Sequence, residues 1–177
     1  MGKFAHLSNP KIRHTELIVQ VVKLMNCQKY LELGVWYGSN ITKVKEVCNY
    51  SIGVDMTDQR KYKNYDFIIS STDDFFKNNT ETFDIIFIDA DHNFESVKKD
   101  FVNSLEILNE YGIIFLHDTD PLDEYWAQMN FCGDSYKMLD WINETYPELN
   151  IFTLPITEAG LTMVNRKGDR RINEYKK

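Results

Sequence analysis

Residues 30–40 read Tyr30-Leu31-Glu32-Leu33-Gly34-Val35-Trp36-Tyr37-Gly38-Ser39-Asn40. The first four read as a short buried strand. Gly34 and Gly38 mark a tight turn, and Ser39 or Asn40 can cap the helix that follows. A strand, a glycine turn and a helix N-terminus together form a site for a nucleotide-like cofactor. Glycine lets a ligand reach the backbone, and the helix end leaves N–H groups free. A second apolar run, Ser51-Ile52-Gly53-Val54-Asp55, ends in an acid twenty-one residues after Gly34. A carboxylate at that strand tip is placed to accept hydrogen bonds from ribose hydroxyls.

The spacing narrows the choice of cofactor. A dinucleotide fingerprint needs a second glycine where this chain has Trp36 and a third where it has Ser39. A bulky indole leaves a pyrophosphate little room, and the phosphate-binding G-x-x-x-x-G-K-S/T loop is absent. What remains suits a nucleoside without phosphates. On Glu32 to Gly38 and Asp55 the chain resembles the class I methyltransferases that use S-adenosylmethionine. The resemblance implies a Rossmann-like α/β fold: a seven-stranded, mostly parallel sheet in the order 3-2-1-4-5-7-6 with helices on both faces. It implies cofactor contacts from Glu32, Gly34, Gly38, Asp55 and Asp89. It also places Ser71 and Thr72 at the adenine edge, although the usual Gly-Asp-Ser is altered there. Ser71 or Thr72 equally suits a helix N-cap, with Asp73 and Asp74 in the first turn.

The 177 residues are most simply one domain: an N-terminal helix within 1–29, a core over 30–165 and a basic tail over 166–177. A net charge of −7 argues against a nucleic-acid backbone as principal partner. No window has the uncharged apolar length of a membrane span, and the N-terminus lacks the apolar stretch of a signal peptide. Cys27, Cys48 and Cys132 are widely spaced and odd in number. They fit a reducing, cytoplasmic setting and no zinc pattern.

Along the chain, Ser8-Asn9-Pro10 reads as a helix start, and Ile18, Val21, Val22 and Met25 recur at helical spacing through Asn26. His14 on that helix reads as a surface or packing residue. Strands are expected at Tyr30–Leu33, Ser51–Asp55, Asp66–Ile69, Phe83–Asp89 and Ile113–Leu116. The run Phe83–Asp89 has the unbroken apolar character of a central parallel strand. Asn93 to Asn109 is amphipathic, with Gly112 ending the connection after it. Residues 120 to 134 read as an irregular loop rich in aromatics, a lid or substrate wall. Asp134 or Ser135 can cap a helix to Tyr146, and Ile151–Leu154 with Leu161–Val164 closes the sheet as an antiparallel pair. Alternation of this kind is that of an open sheet, which binds ligands beyond the strand carboxyl ends.

Glu32, Asp55, Asp89 and Asp118 all fall at or near those ends, a costly gathering of acids unless something cationic sits among them. Asp89-Ala90-Asp91-His92 follows the fourth strand and His117-Asp118-Thr119 the fifth. Asp89, His117 and Asp118 can share one divalent ion, magnesium or manganese by their oxygen-rich ligation. Such an ion lowers the pKa of a substrate hydroxyl. His92, with an unperturbed pKa of about 6.5, suits removal of the hydroxyl proton.

This stretch extends the resemblance to metal-dependent small-molecule O-methyltransferases of the macrocin, mycinamicin and cephalosporin-biosynthesis types. There an acid after the fourth strand binds metal and a residue three further on is the base, roles that Asp89 and His92 match. Asp118 carries over from the pair after the fifth strand. His117 departs from the Glu-Asp or Asp-Asn found there, so it stands either as a ligand or as a group that orients Asp118. The expectation is methyl transfer to a hydroxyl of a small polar acceptor, a sugar or glycan among the candidates. A homo-oligomer could complete the pocket. A nicotinamide-dependent oxidoreductase shares the fold but is disfavoured by Trp36. A non-catalytic module on the same fold would make Asp89 and His92 dispensable.

Overall fold

Neighbouring residues along the central strands face opposite layers of apolar side chains. Leu31, Leu33, Ile86 and Ile88 pack with Phe75, Val97, Phe101 and Ile142. Tyr30, Ile85, Phe87 and Phe115 pack with Ile18, Val22, Ile41 and Val44. Strands buried on both faces are what near-continuous apolar runs dictate. The computed structural model describes residues 13–167. Its strands are β1 (Lys29–Leu33), β2 (Tyr50–Asp55), β3 (Asp66–Ile69), β4 (Phe83–Ile88), β5 (Leu108–His117), β6 (Leu149–Leu154) and β7 (Leu161–Arg166). The sheet order is β3-β2-β1-β4-β5-β7-β6, as expected, with β7 antiparallel to both of its neighbours.

Helices α1 (His14–Met25) and α2 (Ser39–Lys45) cover one face. Helices α3 (Thr72–Asn78), α4 (Phe94–Ile107) and α5 (Met138–Thr145) cover the other. Phe101 is fully buried in that second layer. Its truncation to alanine is expected to remove about 3–5 kcal/mol of stability.

Several boundaries differ from the sequence expectation. The start at Ser8-Asn9-Pro10 and most of the basic tail lie outside the described residues. Strand β5 begins at Leu108 rather than Ile113: Phe83 pairs with Leu108, then Ile85 with Ile113. The extra residues form a bulge in which Asn109 Nδ2 donates to Asp84 Oδ1 at 2.7 Å. Gly112 is pressed so close to Asp84 that a Cβ would stand 2.9 Å from its carbonyl oxygen. Arg166, expected to open the tail, belongs to β7. Its guanidinium donates to the carbonyls of Leu105, Leu108 and Asn109, satisfying the open C-terminal end of α4.

Strand register aligns the carboxyl ends. Leu33 lies beside Val54 and Ile88, Asp55 beside Ile69, and Ile88 beside Leu116. Ser70, Asp55, Gly34, Asp89 and His117 therefore stand on one rim of the sheet. Among the described residues, no helix is long and apolar enough to cross a membrane.

Candidate active site

The turn after β1 is shaped by two contacts. Gly34 has φ +82°, and a Cβ there would lie 2.2 Å from the Asp89 carbonyl oxygen. Only glycine combines that backbone with so close an approach. The Asp55 carboxylate accepts hydrogen bonds from the backbone N–H groups of Val35 (3.0 Å) and Trp36 (2.9 Å), and from Thr57 N–H (3.1 Å). The strand-tip acid thus holds the turn while facing the space beside it. Trp36 takes a left-handed φ of +45° and is 64% exposed, stacked on Tyr37 at 4.3 Å.

A cavity of about 490 Å³ opens there. Gly34, Asp55, Ser71 and Thr72 line it, with Ala90 and Asp91 beyond β4. Its size is that of small-molecule and cofactor sites. Ser71 also caps α3, its hydroxyl accepting from Asp74 N–H at 3.1 Å. The cap and a place in the cavity wall coexist.

Glu32 and Gly38 lie elsewhere. The Glu32 carboxylate is buried under α2, where the Tyr30 hydroxyl donates to it at 2.6 Å and the Asn40 amide donates as well. Burial pushes its pKa up to about 8 against the pull of those hydrogen bonds. Gly38, at φ +77°, is held against the Tyr65 hydroxyl, which a Cβ would meet at 2.1 Å. Neither residue lines the cavity, so both act on the turn from behind.

The second cluster lies at the ends of β4 and β5. His92 Nε2 is 3.1 Å from Asp118 Oδ2. His117 Nδ1 is 3.0 Å from Asp89 Oδ1 and 3.2 Å from Asp118 Oδ2. Asp89, His92 and Asp118 each offer a ligand atom, all within 4.8 Å of one another. Two carboxylate oxygens and an imidazole nitrogen fit a divalent ion of the magnesium or manganese kind. His117, expected among the ligands, instead braces both carboxylates from the side. Burial would lower its pKa, but Asp89 and Asp118 outweigh this and hold it well above the ordinary value. For Asp118 burial acts upward, and the His117 hydrogen bond and charge win, holding it below the usual carboxylate range.

Local structure sets these positions. Asp118 has φ +60°, which turns its side chain back toward β4. Asp91 Oδ1 accepts from the N–H groups of His92 (2.7 Å) and Asn93 (3.2 Å), and Asn93 caps α4. The aromatic loop then returns to fix the turn. Asp134 N–H donates to the His92 carbonyl at 3.0 Å, and Asp134 Oδ1 accepts from Phe94 N–H at 2.6 Å. Tyr125, Trp126 and Phe131 pack on one another in that loop, with ring centroids 4.9 to 5.7 Å apart.

Two neighbours were not expected in the cluster. The His14 ring meets His117 edge-on at 4.6 Å, and burial followed by the His117 charge lowers its pKa to about 4. The signal was present, since positions 14, 18 and 22 form one helical stripe and Ile18 and Val22 are its buried members. Cys132 hydrogen-bonds Asp118, and burial with that charge pushes its thiol up to about 12. Nothing in an irregular loop announces such a contact.

Residues 31–119 match a protein family described as "Methyltransferase domain". No curated protein matches the chain. Among solved structures, the fold is similar to that of a candidate caffeoyl-CoA O-methyltransferase from Staphylococcus aureus. The TM-score is 0.72 at 19% identity, covering 89% of this chain and 86% of that one. It is also similar to an O-methyltransferase from Bacillus cereus in complex with SAH, with TM-score 0.67, 15% identity, and 93% and 84% coverage. A third likeness is to an O-methyltransferase from Streptomyces achromogenes involved in tomaymycin synthesis, in complex with SAM. Its TM-score is 0.66 at 12% identity, over 87% and 79% of the two chains. At these identities the structural likeness speaks for the fold. With the family match over half of its length, the chain belongs to the methyltransferase-domain family and has the class I methyltransferase fold.

Proposed function

We propose that the protein transfers a methyl group from S-adenosylmethionine to a hydroxyl oxygen of a small polar acceptor, a sugar among the candidates. The observation that carries this reading is adjacency. Gly34, in the wall of the cavity, packs directly against Asp89, and Asp89 belongs to the acid–imidazole cluster. The cofactor supplies an electrophilic methyl on a sulfonium.

Asp55 offers carboxylate oxygens to a ribose, and the Gly34 turn gives the nucleoside access to backbone. Ser71 and Thr72 bound the base. At the other end, Asp89 and Asp118 present negative charge where an approaching alcohol must be oriented. His92 is placed to take the proton as the oxygen becomes a nucleophile, and Asp118 stabilises the imidazolium that results. His117, held between the two carboxylates, fixes their directions. Asp89 and Asp118 would hold a divalent ion, whose chemistry there would be Lewis-acid activation of the hydroxyl, while the His92 imidazole is kept for the proton. Orientation in a fixed site supplies much of the acceleration of an in-line displacement. The exposed aromatic loop beyond β5 bounds the acceptor side.

The test is transfer of isotopically labelled methyl from S-adenosylmethionine to a panel of sugar alcohols, phenolic alcohols and amines, with and without manganese. Label appearing as an ether in the wild type, and lost in Asp89→Asn, supports the reading. Label transferred only to nitrogen acceptors, or equally by the variant, contradicts it.

A further inference from the structure

The cavity extends past Asp55 between α3 and α4, and a carboxylate stands in that wall. Asp100 is on the inward side of α4, between buried Val97 and Ser104, and is only 3% exposed, yet it lines the cavity. The hydroxyl of Thr72, the first residue of α3, hydrogen-bonds it. Lys99 next to it turns instead to Asp73 at 2.5 Å, joining α4 to α3 at the same cavity. An ionised carboxylate can accept about four hydrogen bonds. One hydroxyl leaves most of that capacity open, and a buried acceptor with open capacity calls for a further donor. Burial pushes the Asp100 carboxyl up to about 6, with Thr72 pulling the other way and the charges of Asp73 and Asp91 adding to the rise. At neutral pH it is still mainly an acceptor.

The direction of a bound nucleoside follows from the rim. Its ribose lies at Asp55, and the group to be transferred must point to Asp89, on the β4 side. The base therefore points the other way, past the end of β3. There Asp55 pairs with Ile69 and the chain turns at once into Ser70, Ser71 and Thr72. That is the α3–α4 wall where Asp100 stands.

We propose that Asp100, oriented by Thr72, accepts a hydrogen bond from the exocyclic amino group of the adenine, so that the site selects adenine over a 6-oxopurine. The assignment rests on the cavity's being the S-adenosylmethionine site. A 6-oxo group would set its lone pairs against the carboxylate, leaving both without a donor.

The experiment is calorimetric titration with S-adenosylhomocysteine and with S-inosylhomocysteine, its 6-oxo counterpart. The wild type should bind the adenosyl compound about tenfold more tightly or better. In Asp100→Asn, whose amide can donate to a 6-oxo group, the preference should shrink to within about threefold. A purely structural role for Asp100 would weaken both ligands alike and leave their ratio unchanged. That result overturns the assignment, as does a wild type with no preference, while the cofactor reading stands. A wild type that binds neither compound overturns both.

Discussion

His92 Nε2 and Asp118 Oδ2 lie 3.1 Å apart, although one residue follows β4 and the other follows β5. Two turns make this contact. Asp118 adopts a left-handed backbone that returns its side chain, and Asp134 reaches in from the aromatic loop to hold the His92 carbonyl. A histidine hydrogen-bonded to a fixed carboxylate keeps its orientation. Asp118→Asn separates charge from shape, because asparagine tolerates positive φ well. The expected result is native circular dichroism with methyl transfer lowered by about 10²–10³-fold. Wild-type turnover in that variant would remove Asp118 from the chemistry.

The glycine turn makes a sharper demand. Gly34→Ala places a Cβ at φ +82° and 2.2 Å from the Asp89 carbonyl. The backbone strain alone costs about 1–2 kcal/mol, and the overlap must be relieved by moving β1 away from β4. Thermal melts should show a loss of several degrees, and calorimetry a loss of S-adenosylhomocysteine binding. An alanine variant with unaltered melting and affinity would mean that this corner is looser than described.

Glu32 predicts a pH effect of defined sign. Its carboxyl is held above its ordinary value of 4.5, at about 8, chiefly by burial. The folded state therefore keeps a proton that the unfolded state has already released. Its contribution is complete below about 4.5 and is lost as pH rises through about 8, at roughly 1.4 kcal/mol per pH unit within that window. Glu32→Gln should flatten this part of the stability profile in urea titrations across pH. Because Glu32 faces Tyr30 and Asn40 rather than the cavity, the variant should bind S-adenosylhomocysteine within about threefold of the wild type. A large loss of affinity with an unchanged profile would return Glu32 to the binding surface.

Asp134 tests the loop. Its carboxylate accepts from Phe94 N–H, at the first turn of α4, from forty residues away in sequence. Asp134→Ala should reduce stability by about 1 kcal/mol, the usual effect of losing a cap. Because the lost carboxylate anchored Phe94 N–H, two residues from His92, turnover should fall while cofactor affinity holds. Equal changes in both would assign the loop a purely structural part.

Much of the fold was legible because the signals are local and repetitive. The apolar run Phe83–Ile88, the Gly34 turn and the strand-tip acid Asp55 each declare themselves within a few residues. The convergence of Asp89, His92, His117 and Asp118 followed from parallel-sheet topology. Which of them face one another did not follow, since that depends on the backbone of Asp118 and on a return contact from residue 134. Glu32 illustrates the same limit: period-2 alternation says that a strand residue is inward, not whether it meets a ligand or the next helix. His14 and Asp100 sat on inward stripes of α1 and α4, where a polar residue on an apolar face was the available clue.

The most direct measurement is a crystal structure with S-adenosylhomocysteine and manganese, read from ligand density and manganese anomalous scattering. The account predicts the nucleoside beside Gly34 with its ribose on Asp55, and an anomalous peak at the carboxylates of Asp89 and Asp118. A nucleoside bound elsewhere, or manganese at a site that shares neither of those carboxylates, would contradict it.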